Sequence, residues 1–363
     1  MIMAGTFLQV QAQSTLLVGT YTSGNSHGIY VYDFASATGE AVLRDSVQSS
    51  NPSFLAVAPN GRYVYAVNEE GSDNGGGKVS AYRFDKAAKK MSLINQVPSV
   101  GDHPCYVSVD RKNKWVVVGN YSSGTVSVLP IAPDGGVGAA VTNMQHQGQS
   151  VNQERQKSPH VHATVFSPDN KYVFVPDLGI DQVVVYAFNP KTGFLKPNKE
   201  HVKVSAGSGP RHLDFHPSGK WAYLAQELSG TVTVFKYDKG ELVEQQQISM
   251  LPADYTGAAT SADIHVSPNG RFLYASNRNT SNTIAIFKIN PEDGKLTLVG
   301  HQSTMGKTPR NFNFDPSGKL LLVANQETNN IVVFNVDPET GLLTYTGKQI
   351  EVPNPVCIQW INN

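Results

Sequence analysis

Charge is scarce in this 363-residue chain, at 16% of positions, and it balances, 29 Lys and Arg against 29 Asp and Glu. With no net field, nothing draws nucleic acid or an anionic membrane to the molecule as a whole. Recognition of an anion has to come from a local cluster. Cysteine is scarcer still. Cys105 and Cys357 stand alone, outside any CxxC or Cys/His ligand spacing, which excludes a disulfide framework and a zinc motif and leaves two buried thiols. No run approaches the ~18 apolar residues of a membrane span. GxGxxG, P-loop and GxSxG motifs are missing, as is any calcium-loop spacing, so no cofactor or metal is expected. Helical periodicity is nearly absent. The N-terminal "MIMAGTFLQVQAQS" has no basic region and only a short apolar stretch, but it ends near Val10-Gln11-Ala12, like a cleavage site. Residues 1–14 are read as a separate segment, and a truncated signal peptide would make the protein periplasmic rather than cytoplasmic.

What is present repeats. A strand, a turn of Pro, Asx or Ser and Gly, and a second strand recur from Pro52, Pro104, His160, Pro210, Ser261 and Pro309. The basic residues after the turns, Arg62, Lys114, Lys171, Lys220, Arg271 and Lys319, are spaced by 52, 57, 49, 51 and 48 residues. A period near 50 in Val-, Tyr- and Phe-rich strands predicts β-propeller blades. Each unit reads as an inner strand A, then B, C and a looser outer D. The stretch from Thr15 is a B–C pair without its A, and Pro355–Asn363 is an A without its B. Joined, they make a seventh four-stranded blade and close the ring, which removes both open sheet edges. The expectation is an all-β, seven-bladed propeller over residues 15–363.

The start of strand A and the end of strand B share one end of each blade. Around the ring the first position holds Ser53, Cys105, His162, Arg211, Ala262, Arg310 and Val356. The second holds Tyr21, Glu69, Tyr121, Leu178, Glu227, Arg278 and Gln326. Both rings are expected to line one mouth of the central channel. His162, Arg211, Glu227, Arg278 and Arg310 come from consecutive blades. Together they make an anion site with a candidate base. Asp263 lies one step from the ring and could orient a site residue. His212, His216 and His265 fit hydrogen bonding between blades, whereas His103, His201 and His301 read as loop residues. The long polar run before His162, "MQHQGQSVNQERQKSPHVH", is expected either to cap the mouth or to remain a solvated loop.

The strings "GPRHLDFHPSGKWAYLAQEL", "SADIHVSPNGRFLYASNR", "PRNFNFDPSGKLLLVANQ" and "LLVGTYTSGNSHGIYVYDF" differ blade by blade. In them the chain resembles the bacterial propeller-type 6-phosphogluconolactonases, seven-bladed lactonases related to fungal carboxy-muconate lactonizing enzymes. The resemblance covers residues 15–363. It implies hydrolysis of a sugar lactone in the pentose phosphate pathway, with His162, Arg211, Glu227 and Arg278 as the catalytic set. Arg310 is the expected phosphate contact, and Asp263 and Gln326 are further candidates for binding substrate. The expected partner is the small lactone alone, with no nucleic acid and no membrane span, and the expected assembly is a monomer or weak dimer. Two alternatives stay open on sequence: a cycloisomerase or hydrolase of another lactone, and a propeller that binds a partner without chemistry.

Overall fold

The computed structural model describes residues 13–198 and 201–361; of the expected segment 1–14, residues 1–12 lie outside the described residues and Gln13 and Ser14 open the strand Gln13–Thr20. Seven sheets surround a channel. Blade 1 runs Leu55–Val57, Tyr63–Asn68, Lys78–Asp85 and Lys90–Pro98, from the channel outward. Blades 2 to 6 have inner strands at Pro104–Val109, Val165–Phe166, Pro210–Phe215, Ser261–Val266 and Pro309–Phe314. Blade 7 takes its inner strand, Pro355–Ile361, from the C-terminus and its other three from Gln13–Thr20, Gly28–Ala35 and Glu40–Gln48. That closure is antiparallel, from Thr15 opposite Ile361 to Gly19 opposite Cys357. Six sheets have four strands, and in blade 3 a second short segment, Val202–Lys203, joins beside Leu195–Pro197. The one helical turn among the described residues is Ser72–Asn74, inside the glycine-rich B–C loop of blade 1. His301, expected in a loop, lies instead in the outer strand Leu296–Ser303, with Nε2 3.1 Å from the Met250 carbonyl.

The strand sequences explain the layers. Strands B and C are apolar at nearly every position because both faces are covered by neighbouring blades, as in Tyr63–Asn68, which is buried throughout. Outer strands such as Glu241–Ser249 alternate, with one face in water. Side chains also tie blade to blade. The hydroxyls of Tyr65, Tyr223 and Tyr274 donate to the carbonyls of Gly135, Gly294 and Gly341, each in the next blade, at 3.0, 2.9 and 2.7 Å. An aromatic ring thus fills the core while its one polar atom is satisfied.

The inner strands are irregular at one end only. In blade 4, Pro210 pairs with Gln226 but Leu213 pairs with Leu224, so Arg211 and His212 together oppose Ala225. The same extra residue occurs in blade 5 between Ser261 and Ile264, in blade 6 between Pro309 and Asn311, and in blade 2 between Pro104 and Tyr106. A bulge bends the strand and re-aims the residues in it. Here the bulged residues include Arg211, Ala262, Arg310 and Cys105, four members of the ring expected at the mouth.

Candidate active site

A cavity of about 230 Å³ opens at that mouth, lined by Tyr21, Glu69, Cys105, Tyr121, Arg155, His162, Glu227, Arg278 and Arg310. Below it a space of about 10 Å³ is bounded in part by Ser53, His162, Arg211, His212 and Arg310. Larger grooves of about 660 and 680 Å³ flank the Ser23–Ser26 loop, but Asn, Ser, Thr and Gln side chains dominate their walls. At the channel mouth, charged and titratable groups from several blades converge on one cavity. Among the described residues no three His, Cys, Asp or Glu are grouped as a metal would require.

Glu227 is the hub. Its Oε2 accepts from Arg211 Nε at 3.0 Å and pairs with Arg278 Nη2 at 3.0 Å, while Oε1 accepts from Arg155 Nη2 at 2.7 Å. The carboxylate is only 4% exposed. Burial pushes its pKa up, but Arg278, Arg211 and Arg155 outweigh burial and hold it down at about 2. It is therefore a fixed anion at neutral pH. His162 Nε2 lies 3.9 Å from Glu227 Oε2, too far for a hydrogen bond, and Nδ1 lies 3.7 Å from Cys105 Sγ. Burial, then the charges of Arg211, His212 and Arg310, drive the imidazole well below its ordinary pKa. His162 is accordingly neutral across the physiological range.

Arg310 differs from the other three guanidiniums. It stands over the Tyr21 ring, 5.3 Å from its centre; Glu69 and Glu227 act on its charge, but among the described residues its guanidinium makes no ion pair or hydrogen bond. Tyr21 donates to Glu69 Oε2 at 2.9 Å, and the Ser53 hydroxyl donates to the same oxygen. Glu69 and Glu227 are thus held by other partners, and the Arg310 guanidinium makes direct contact with neither in the same cavity.

His162, Glu227, Arg278 and Arg310 share the cavity, and Arg211 reaches it from below through Glu227. Asp263 does not line the mouth. Its carboxylate is consumed beneath by His212, His265, Asn311 and two backbone amides. Gln326 is half-buried outside the cavity wall, its backbone N–H donating to the Thr308 carbonyl. Leu178, expected at the mouth, is wholly buried. The segment before His162 covers it, with the Leu178 amide bonded to the His160 carbonyl and its own carbonyl accepting from Gln156 Nε2.

That segment caps the site. It is pinned by His146 Nδ1 to Asp177 at 2.7 Å and by the Ser150 hydroxyl to Asp181 at 2.5 Å. It delivers Arg155 to Glu227 and to the Tyr121 hydroxyl, the latter at 3.2 Å. Arg155 carried no signal in the sequence, because an insert has no equivalent in the other repeats. Tyr21, Glu69 and Tyr121 did carry one, since they close strand B in three blades.

A closed seven-bladed propeller whose one channel mouth gathers guanidiniums, carboxylates and an imidazole has the groups to hold an anion and move a proton. This chain belongs to the family described as "Lactonase, 7-bladed beta-propeller", whose model matches residues 15–360. A 6-phosphogluconolactonase of Bacillus subtilis is 39% identical over 350 residues, covering 95% of this chain and 97% of that protein. A crystal structure from Bacteroides fragilis superposes with a TM-score of 0.93 at 43% identity, covering 98% of this chain and 99% of the other. The periplasmic gluconolactonase of Pseudomonas aeruginosa gives 0.92 at 38% identity, covering 97% and 99%.

Proposed function

We propose that the chain is a 6-phosphogluconolactonase, opening 6-phospho-glucono-1,5-lactone to 6-phosphogluconate with water and no cofactor. The observation that carries the chemistry is the pairing of a neutral imidazole with a permanently ionised carboxylate, 3.9 Å apart in one cavity. With its proton on Nδ1, toward the Cys105 sulfur, His162 leaves Nε2 to accept. A water donating one hydrogen to Nε2 and the other to Glu227 Oε2 would hold its lone pair toward a carbonyl in the cavity.

As that water attacks, its proton passes to His162 and negative charge gathers on the carbonyl oxygen. Arg211 and Arg278 supply the opposing charge. The intermediate collapses by breaking the bond from the carbonyl carbon to the ring oxygen, and the imidazolium returns its proton to that oxygen. One water is consumed and a hydroxy acid results. Glu227 orients and does not act as base, because Arg211 and Arg278 on Oε2 and Arg155 on Oε1 already engage both of its oxygens. Arg310, whose guanidinium is in direct contact with neither Glu69 nor Glu227, takes the phosphate. The phosphorylated substrate supports a cytoplasmic location, checked by fractionating cells.

Base uptake at constant pH with freshly made phosphorylated and unphosphorylated gluconolactone, corrected for spontaneous opening, tests the reading. Faster hydrolysis of the phosphorylated lactone is expected. Equal or better use of the sugar lactone without phosphate would make the chain a gluconolactonase, as the Pseudomonas relative is named. No acceleration of either would remove the hydrolase.

A further inference from the structure

Beneath the cavity a buried polar chain runs away from Arg211. Arg211 Nη1 donates to the Ala262 carbonyl at 2.7 Å and lies 3.3 Å from His212 Nε2. His212 Nδ1 lies 2.7 Å from Asp263 Oδ1. Asp263 Oδ2 in turn faces His265 Nε2 at 3.1 Å, the Asn311 amide group and the Phe312 N–H. Arg211, His212 and Asp263 are 1%, 6% and 2% exposed. Three inner strands, Pro210–Phe215, Ser261–Val266 and Pro309–Phe314, therefore meet at one carboxylate.

The tautomer of His212 follows from its partners. A guanidinium can only donate, so Nε2 must accept, and the ring proton must sit on Nδ1, where Asp263 takes it. Burial and the neighbouring Arg211 lower the His212 pKa to about 4, which keeps the acceptor lone pair on Nε2 at neutral pH. The ring is also walled in. Phe54, Tyr106 and His162 meet it edge to face, with centres 5.9, 5.4 and 5.4 Å away. His212 thus touches both Arg211 and His162 while staying out of the mouth cavity.

Strand geometry alone would not allow this. Successive residues on a regular strand face opposite sides, yet Arg211 and His212 both serve the channel. The bulge opposite Ala225 makes it possible, and a second bulge between Ser261 and Ile264 places Asp263 to meet His212.

We propose that His212, locked by Asp263, is a positioning residue for the reaction, fixing the rotamer of Arg211 so that its remaining donors face the reacting carbonyl. This rests on the role given to Arg211 above. Glu227 holds Nε and the Ala262 carbonyl takes one Nη1 hydrogen; His212 takes the other, so both Nη1 hydrogens are committed and the guanidinium plane is fixed. Misplacement by about 1 Å can cost about 10² in rate.

Two amides separate positioning from packing. In His212→Asn the side-chain amide overlays Nδ1, so it still donates to Asp263 but no longer reaches Arg211. In His212→Gln the amide oxygen overlays Nε2 and restores the acceptor for Arg211. The assay is lactone hydrolysis, with melting temperature measured alongside. Positioning requires His212→Asn to lower kcat about 10- to 100-fold with KM within about twofold, and His212→Gln to recover most of that loss. If His212 only satisfies Asp263, His212→Asn keeps its activity and His212→Gln is the damaged one, which overturns the proposal. Equal loss in both, in step with lowered melting temperature, overturns it as well. Arg211→Gln is the control. If it is inactive while His212→Asn is fully active, the role of Arg211 stands and the relay falls. If Arg211→Gln is itself fully active, the assignment of Arg211 falls first.

Discussion

At the scale of single residues, burial and charge have been used to separate two groups that would otherwise both titrate near the acid side of neutrality. Glu227 is held down by three cations and His162 is driven down by burial beside cations, so neither changes charge near pH 7. Replacing His162 or Arg211 by alanine is expected to cut lactone hydrolysis by two to three powers of ten, since a general base contributes about 10²–10⁴ and a charge-stabilising donor about 10²–10³. Arg310→Ala should instead raise KM for the phosphorylated lactone and leave the unphosphorylated one nearly unchanged, as a binding contact would. Steady-state kinetics on both lactones distinguish these outcomes. Acid should act on stability too. His212, at about 4 in the fold against ~6.5 unfolded, binds its proton more tightly in the unfolded chain. Stability must therefore fall as pH drops from ~6.5 toward 4, and His162 adds in the same direction. Glu227 extends the loss from ~4.3 down to about 2. His265 works oppositely. Asp263, together with Asp214, overcomes burial and raises it to about 9, so its contribution is full below ~6.5 and lost as pH climbs through 9. Melting curves across pH should peak near pH ~6.5 and decline on both sides.

At the scale of elements, the bulge and the insert build the site. The bulge lets one inner strand present two consecutive side chains to the channel, and the insert adds a cation that no blade supplies. Arg155 is the most exposed of the three cations around Glu227, with 39% of its side chain accessible. An ion pair that open to water contributes little to folding, about 0–1 kcal/mol. Arg155→Gln is therefore expected to leave the melting temperature nearly unchanged while lowering kcat/KM about tenfold, because Glu227 loses one of its holders and a tenfold change corresponds to about 1.4 kcal/mol. A large drop in melting temperature would show that Arg155 holds the insert in place rather than serving Glu227.

At the scale of the whole molecule, the ring has one seam. Pro355–Ile361 lies against Gln13–Thr20 and buries Val356, Cys357, Ile358 and Ile361. Residues of this size stabilise by about 1.5–3 kcal/mol each when fully buried, comparable in sum with the net stability of a domain. Removing residues 355–363 deletes them and leaves Gln13–Thr20 as an open edge. The truncated chain is expected to be insoluble or to lack a cooperative melting transition. A soluble truncation melting like the full chain would mean that the other six blades hold without closure.

The blade count, the seam and the mouth that carries the charged side chains were all legible in the sequence. Each rests on strict repetition: a turn every 50 residues or so fixes the strands, and equivalent positions in equivalent hairpins fall at the same end. His162, Arg211, Glu227, Arg278 and Arg310 stood out because they break the repeat where the scaffold does not require them to. What repetition could not encode, only the tertiary structure decided. Leu178 follows the same alignment but lies under an insert that no other blade has. Asp263 sits near the ring in sequence, yet its carboxylate belongs to the chain below. Arg155 reaches Glu227 from outside the repeat altogether. The pairing of His212 with Arg211 also contradicts strand alternation and becomes possible only where an extra residue bends the strand. Periodic hydrophobicity specifies a ring of sheets, because every blade must bury the same faces. The charges inside a small cavity are set instead by which side chains approach within a few ångströms across blades, and no single strand carries that information.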